Sequence, residues 1–147
     1  MNIVTKGVAA AAAIIATSVA APAHAKPPVT PASGSGCLVQ PIGPHKIGPG
    51  STAPISFGFR VHCYPRDPDL RATTVKLWRK NVHTGQSYMH AERTDHGTRA
   101  ADEKIYYASC SDASVQWEFH TEVVVTAVFD YSGDRDDGNS DPVLLDC

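Results

Sequence analysis

Ile55-Ser56-Phe57-Gly58-Phe59-Arg60-Val61-His62-Cys63 alternates large apolar side chains with small or polar ones. In an extended chain successive side chains point to opposite faces, so Ile55, Phe57, Phe59, Val61 and Cys63 share one face; a helix would scatter them around its circumference. The stretch therefore reads as a β-strand with one buried side.

The chemistry just before it extends the argument. Gly48-Pro49-Gly50-Ser51 is turn-forming, and Cys37 and Cys63 are equidistant from Gly50. A hairpin folded there sets the two cysteines opposite each other, at a Cα separation of roughly 4.5–5.5 Å that a disulfide can span. This predicts a Cys37–Cys63 bridge and, by elimination, a Cys110–Cys147 bridge. No Cys-x-x-Cys pair is present for a metal site, and an even count leaves no cysteine for thiol chemistry.

Period two recurs along the chain. Thr73–Lys80 and Gln86–Arg93 read as strands joined by a turn at His83-Thr84-Gly85, and Lys104–Ser109 as another strand. From Trp117 to Tyr131 the odd positions are mostly apolar or aromatic. That run exceeds the usual strand length of about 3–10 residues, so a bend or bulge is expected near His120–Glu122, with Val123–Phe129 as the central piece. Ser132 to Asp141 reads as a hairpin turn centred near Asp136, and Val143–Leu145 as a final strand. Pro41 and Pro44 mark Leu38–Ile42 as an edge, since proline cannot donate to a sheet ladder.

About seven short strands predict an all-β fold: a two-sheet antiparallel sandwich of immunoglobulin-like architecture, held by two disulfides. Cys63, Trp78 and Cys110 follow the order of the disulfide and tryptophan of immunoglobulin domains. However, Tyr106 and Tyr107 precede Cys110 by four and three residues instead of two. The resemblance is one of architecture, and no family follows from it.

Residues 1–25 read as a signal peptide: a short start bearing Lys6, an apolar run from Gly7 to Ala21, and Ala23-His24-Ala25 as an A-x-A cleavage site. The run falls short of the roughly 20 residues of a membrane span. Lys26–Gly36 is a Pro/Ser/Gly linker, and residues 37–147 form the disulfide-bonded domain. Losing Lys6 leaves 12 basic and 15 acidic residues, a net charge of −3, which gives no general attraction to nucleic acid or anionic membrane. The expected setting is extracellular, for a monomer whose partner is a protein or a glycan.

Four groups of residues invite chemistry. Asp134, Asp136, Asp137, Asn139 and Asp141 supply oxygen ligands of the kind calcium takes, although Gly138 stands where a ligand is wanted and no glutamate closes the loop. Tyr64, Pro65, Arg66 and Asp67, within the proline-stiffened 63–71 segment, resemble an inhibitory loop offering Arg66 to a trypsin-like protease. The six histidines beyond the signal, His45, His62, His83, His90, His96 and His120, lack metal-ligand spacing and read as surface residues. Trp78, with Tyr88 on the neighbouring strand, reads as core, or otherwise as an aromatic platform for a sugar or peptide.

No hydrolase, phosphate-binding or dinucleotide motif is present. The expected function is a secreted, non-enzymatic binding module that needs no cofactor, with calcium as a candidate ligand. A secreted protease inhibitor and a small hydrolase without a recognisable motif are the alternatives.

Overall fold

A computed structural model describes residues 34–111 and 115–147. The expected signal peptide and the linker as far as residue 33 lie outside the described residues. Within them the chain forms eight strands and no helix: β1 (Gly36–Lys46), β2 (Ile55–Tyr64), β3 (Leu70–Asn81), β4 (Ser87–Gly97), β5 (Ala101–Ala108), β6 (Gln116–Phe129), β7 (Ser132–Asn139) and β8 (Val143–Asp146). One antiparallel sheet has the order β1-β2-β5 and the other β4-β3-β6-β7, with β8 also paired to β6.

Alternation places the core. Ile55, Phe57, Phe59 and Val61 of β2 are buried, as are Val75 and Leu77 of β3 and Phe119, Val123, Val125, Ala127 and Phe129 of β6. These inner faces meet between the sheets, where burying each large side chain contributes roughly 1.5–3 kcal/mol. Gly58 on β2 is a site of close approach: a Cβ there would collide with the Lys104 carbonyl oxygen of β5.

Both expected disulfides form. Cys37 and Cys63 are register partners on β1 and β2, with Cα atoms 3.9 Å apart. Cys110 pairs with Cys147 across a Cα separation of 4.9 Å. The intervening hairpin loop contains Gly50 at φ +92°, a left-handed conformation that glycine adopts without a side-chain clash.

Three expectations are corrected. The bend near His120–Glu122 is absent from the β3–β6 register, which runs without a shift from Leu70↔Val128 to Asn81↔Trp117. What changes there is the other neighbour: β8 pairs with residues 116–119 and β7 with residues 122–129. Second, β6 stops at Phe129, so Tyr131 does not continue its inward phase. Third, most of Ser132–Asp141 is strand and not turn, and the hairpin is centred on Asp130-Tyr131, between paired Phe129 and Ser132. Residues of low β propensity form β7 because they lie beside the central strand and carry a second set of contacts.

Those contacts close one flank of the sandwich. Cys37 N–H donates to Asp134 Oδ2 at 2.7 Å and Val39 N–H to Asp136 Oδ2 at 2.9 Å. At the next position Pro41 has no N–H to satisfy, and opposite it stands Gly138, whose absent Cβ would lie 3.0 Å from Pro41 Cδ. Carboxylates thus cap the edge of β1, which would otherwise template further strand pairing. The opposite flank lies between the edges of β4 and β5, and no ladder joins them.

Candidate functional site

Two loops meet at one end of the sandwich: residues 65–69, between β2 and β3, and the two-residue turn between β6 and β7. Asp69 N–H donates to the Val128 carbonyl at 2.9 Å, and Asp130 N–H to Asp69 Oδ2 at 2.8 Å. Arg66 lies across the junction, 2.5 Å from Asp130 and 3.6 Å from Asp69. Asp67 anchors the other side by accepting the Ala100 N–H at 2.5 Å.

This bracing holds an unusual turn. Asp130 has φ 45° and Tyr131 φ 69°. A two-residue hairpin turn with both φ values positive favours Asn-Gly or Asp-Gly, and a bulky aromatic at the second position is strained. Tyr131 is nonetheless fully exposed and gains nothing from burial. Beside the turn, register partners Leu70 and Val128 are also exposed, at 54% and 37%. The tip therefore joins an apolar, aromatic contact surface to three carboxylates, Asp67, Asp69 and Asp130, opposed by the single guanidinium of Arg66.

The residues singled out in the sequence are distributed as follows. The Tyr64–Asp67 segment does lie at this tip, but Arg66 is turned back onto two carboxylates. Asp134 and Asp136 face β1, strand alternation directs Asp137 and Asn139 to the opposite side of β7, and Asp141 lies in the following loop. Among the described residues no group of three or more His, Cys, Asp or Glu side chains is placed to hold a metal ion.

The histidines do not converge. His45 lies beside Ser56, with ring nitrogens 2.9 and 3.0 Å from the hydroxyl, but Ser56 is only 1% exposed, so its Oγ offers no accessible nucleophile. His62 packs edge-on to Tyr64. Trp78 departs from the core expectation: it is half-buried on the outer face of its sheet, with its indole N–H donating to Glu122 Oε2 at 2.6 Å. Tyr88 packs instead on Trp117, over which the Arg79 guanidinium lies at 4.6 Å.

Two residues, Tyr131 and Arg71, escaped the sequence reading, and His90, read there as a surface residue, is half-buried. Tyr131 was hidden by the apparent continuation of its strand. Arg71, fully buried, is in phase with Thr73, Val75 and Leu77, and that phase was its only signal. His90 donates from Nε2 to the Ser109 carbonyl at 3.0 Å and packs edge-on to Phe119. Burial pushes its pKa down, the Ser109 hydrogen bond pulls it up, and the Arg79 charge lowers it, leaving it below the ordinary histidine value.

The folded protein therefore takes up this proton less readily than the unfolded chain. Stability is expected to fall as pH drops below about 6.5. The loss is complete once pH is below the folded-state value. Urea midpoints measured from pH 8 to pH 5 should show this slope, and His90→Gln should flatten it; an unchanged slope would refute the assignment to His90.

Comparison with family models, with curated proteins and with solved structures finds no match to this chain.

Proposed function

We propose that the chain is an exported, non-enzymatic binding module on an immunoglobulin-like sandwich, and that it engages a protein partner through the Tyr131 tip. The observation that carries this reading is Tyr131 itself: a fully exposed aromatic in a left-handed turn, braced by the Arg66–Asp69–Asp130 network. Backbone strain of this kind costs of order 1–3 kcal/mol and persists where the surroundings enforce it, often at binding sites. An exposed tyrosine on a rigid support suits an interface anchor, because little rotamer freedom is lost when it enters a pocket. The surrounding carboxylates favour a partner whose apolar pocket has a cationic rim. Two disulfides are consistent with an extracellular protein.

Tyr131→Gly separates strain from recognition. It is expected to raise stability by about 1 kcal/mol, since glycine accepts the left-handed conformation freely. A photo-crosslinker placed at position 131 should give a saturable adduct in the fluid that receives the exported protein. Leu70→Asp/Val128→Asp should abolish that adduct while leaving the fold intact by circular dichroism. No adduct, or one indifferent to the flanking substitutions, would eliminate the tip as the contact surface.

A further inference from the structure

The flank between β4 and β5 differs from the closed flank in the one respect that matters for pairing. Cys63 N–H donates to the Ala100 carbonyl at 2.6 Å, which sets the phase of the β2–β5 ladder. Even-numbered residues of β5 bond to β2, and odd-numbered ones turn their N–H and C=O outward. Two outward groups are already engaged. Glu103 N–H donates to Asp102 Oδ1 at 3.0 Å, and the Ser109 carbonyl accepts from His90.

Between these fasteners the outward N–H and C=O of Ile105 and Tyr107 have no partner among the described residues. The side chains flanking them are exposed, Ile105 at 47% and Tyr107 at 57%. Edges are ordinarily protected by proline, inward charges or capping groups. β1 has prolines and capping carboxylates, and the Ile105–Tyr107 part of β5 has neither.

Alongside lies a groove of about 470 Å³, lined by Pro54, His90, Ala91, Arg93, Ala108 and Ser109 as well as Tyr107. Among the described residues its walls hold one permanently charged side chain, Arg93, and no carboxylate. Arg93 faces the groove because it pairs with Val75, an inward residue of β3. Its guanidinium donates to the Glu92 carbonyl at 2.7 Å and makes no ion pair among the described residues.

We propose that the β5 edge over Ile105–Tyr107 takes up a short, extended, acidic segment of a partner protein by strand addition, with a groove-side carboxylate on Arg93. Two outward residues offer two N–H and two C=O groups, enough for about four hydrogen bonds to a segment of three or four residues. Side-chain alternation in the added strand sends every second residue into the groove, where small or apolar groups meet Pro54, Ala91 and Ala108 and a carboxylate meets the guanidinium. This surface is independent of the Tyr131 tip, so either can fail without the other.

The test uses the oxidised, isotope-labelled chain and the capped hexapeptide Thr-Val-Asp-Val-Thr-Val. Titration should produce saturating amide shifts at Ile105 and Tyr107, with Cys37 and Val39 unmoved. A peptide with Lys in place of Asp should bind about tenfold more weakly, the equivalent of one charge-assisted contact, and Arg93→Gln should erase that preference. Ile105→Pro removes one outward N–H and should weaken binding about tenfold or more. Should that variant not fold, N-methylation of alternate peptide residues removes the matching donors and should have the same effect on the unaltered chain. Equal binding of the N-methylated peptide, shifts elsewhere than β5, or no shift up to about 1 mM peptide would overturn the proposal. So would a dimer by sedimentation that disappears in Ile105→Pro, since the occupant would then be a second copy of the chain.

Discussion

Arg71→Met is expected to lower stability by about 3 kcal/mol, a fall in Tm of roughly 10–15 °C for a domain of this size. Arg71 is fully buried on the inner face of β3. Its Nη2 donates to Asp102 on β5 at 2.8 Å and to Asp95 on β4 at 3.2 Å, and its Nη1 to the Arg99 carbonyl at 2.9 Å. Three strands and the β4–β5 loop are thus tied through one guanidinium. Gly97 leaves room for it, since a Cβ there would lie 2.8 Å from Nη2.

Removing one partner of a buried ion cluster commonly costs about 3–5 kcal/mol because the remaining charges lose their compensation. The lower end applies here, as both carboxylates keep 19% exposure and retain some water. Arg71→Met/Asp95→Asn/Asp102→Asn should recover much of the loss, because uncharged groups leave no net charge to compensate. A triple variant no more stable than the single one in urea would refute this account.

The same cluster governs the acid limb. Burial raises the Asp102 pKa, but the Arg71 hydrogen bond, the Lys104 and Arg71 charges and the Glu103 N–H outweigh it and hold the carboxyl below its ordinary value. A carboxylate depressed in this way contributes stability that is present above about pH 4 and lost as pH falls through the folded-state value. Arg71→Met should therefore show a shallower loss below pH 4 than the parent chain.

Asp134→Ala/Asp136→Ala carries the second large expectation, a loss of about 3 kcal/mol together with self-association. Each carboxylate accepts a backbone N–H of β1, and hydrogen bonds to charged groups contribute about 1.5–3 kcal/mol apiece. Their removal leaves Cys37 and Val39 with outward donors on a strand edge, ready to pair with another molecule. Asp134→Asn/Asp136→Asn keeps the acceptor oxygens and should retain roughly half of the stability. Faster amide exchange at Cys37 and Val39 in the alanine variant identifies the mechanism. Unchanged exchange there would show that the aspartates act elsewhere.

Much of this fold can be read from alternation alone. The strands around Phe57, Val75 and Val123 declare themselves because each has one inward face, and the Gly48–Ser51 turn sets the register that joins Cys37 to Cys63. β7 defeated that logic. Ser-Gly-Asp-Arg-Asp-Asp-Gly-Asn has no apolar face, since its inward positions serve backbone donors on β1 instead of a hydrophobic core. The tip was only half legible. The 63–71 segment stood out by its prolines, but Tyr131 looked like the end of a strand, and only the backbone shows it in a turn. Pairings such as Arg66 with Asp130 span 64 residues of sequence, and no local pattern encodes them.

The two flanks give the sandwich the mechanics of a book bound along one spine. On the bound side, carboxylates stitch β1 to β7 at two successive rungs. On the fore-edge the Arg71 cluster, a long Lys104–Asp95 ion pair and the His90 contact clasp the covers together among the described residues. Thermal breathing should therefore swing the sheets apart from the fore-edge, exposing the Phe57–Tyr106 and Phe59–Tyr106 contacts first and leaving the spine intact until global unfolding.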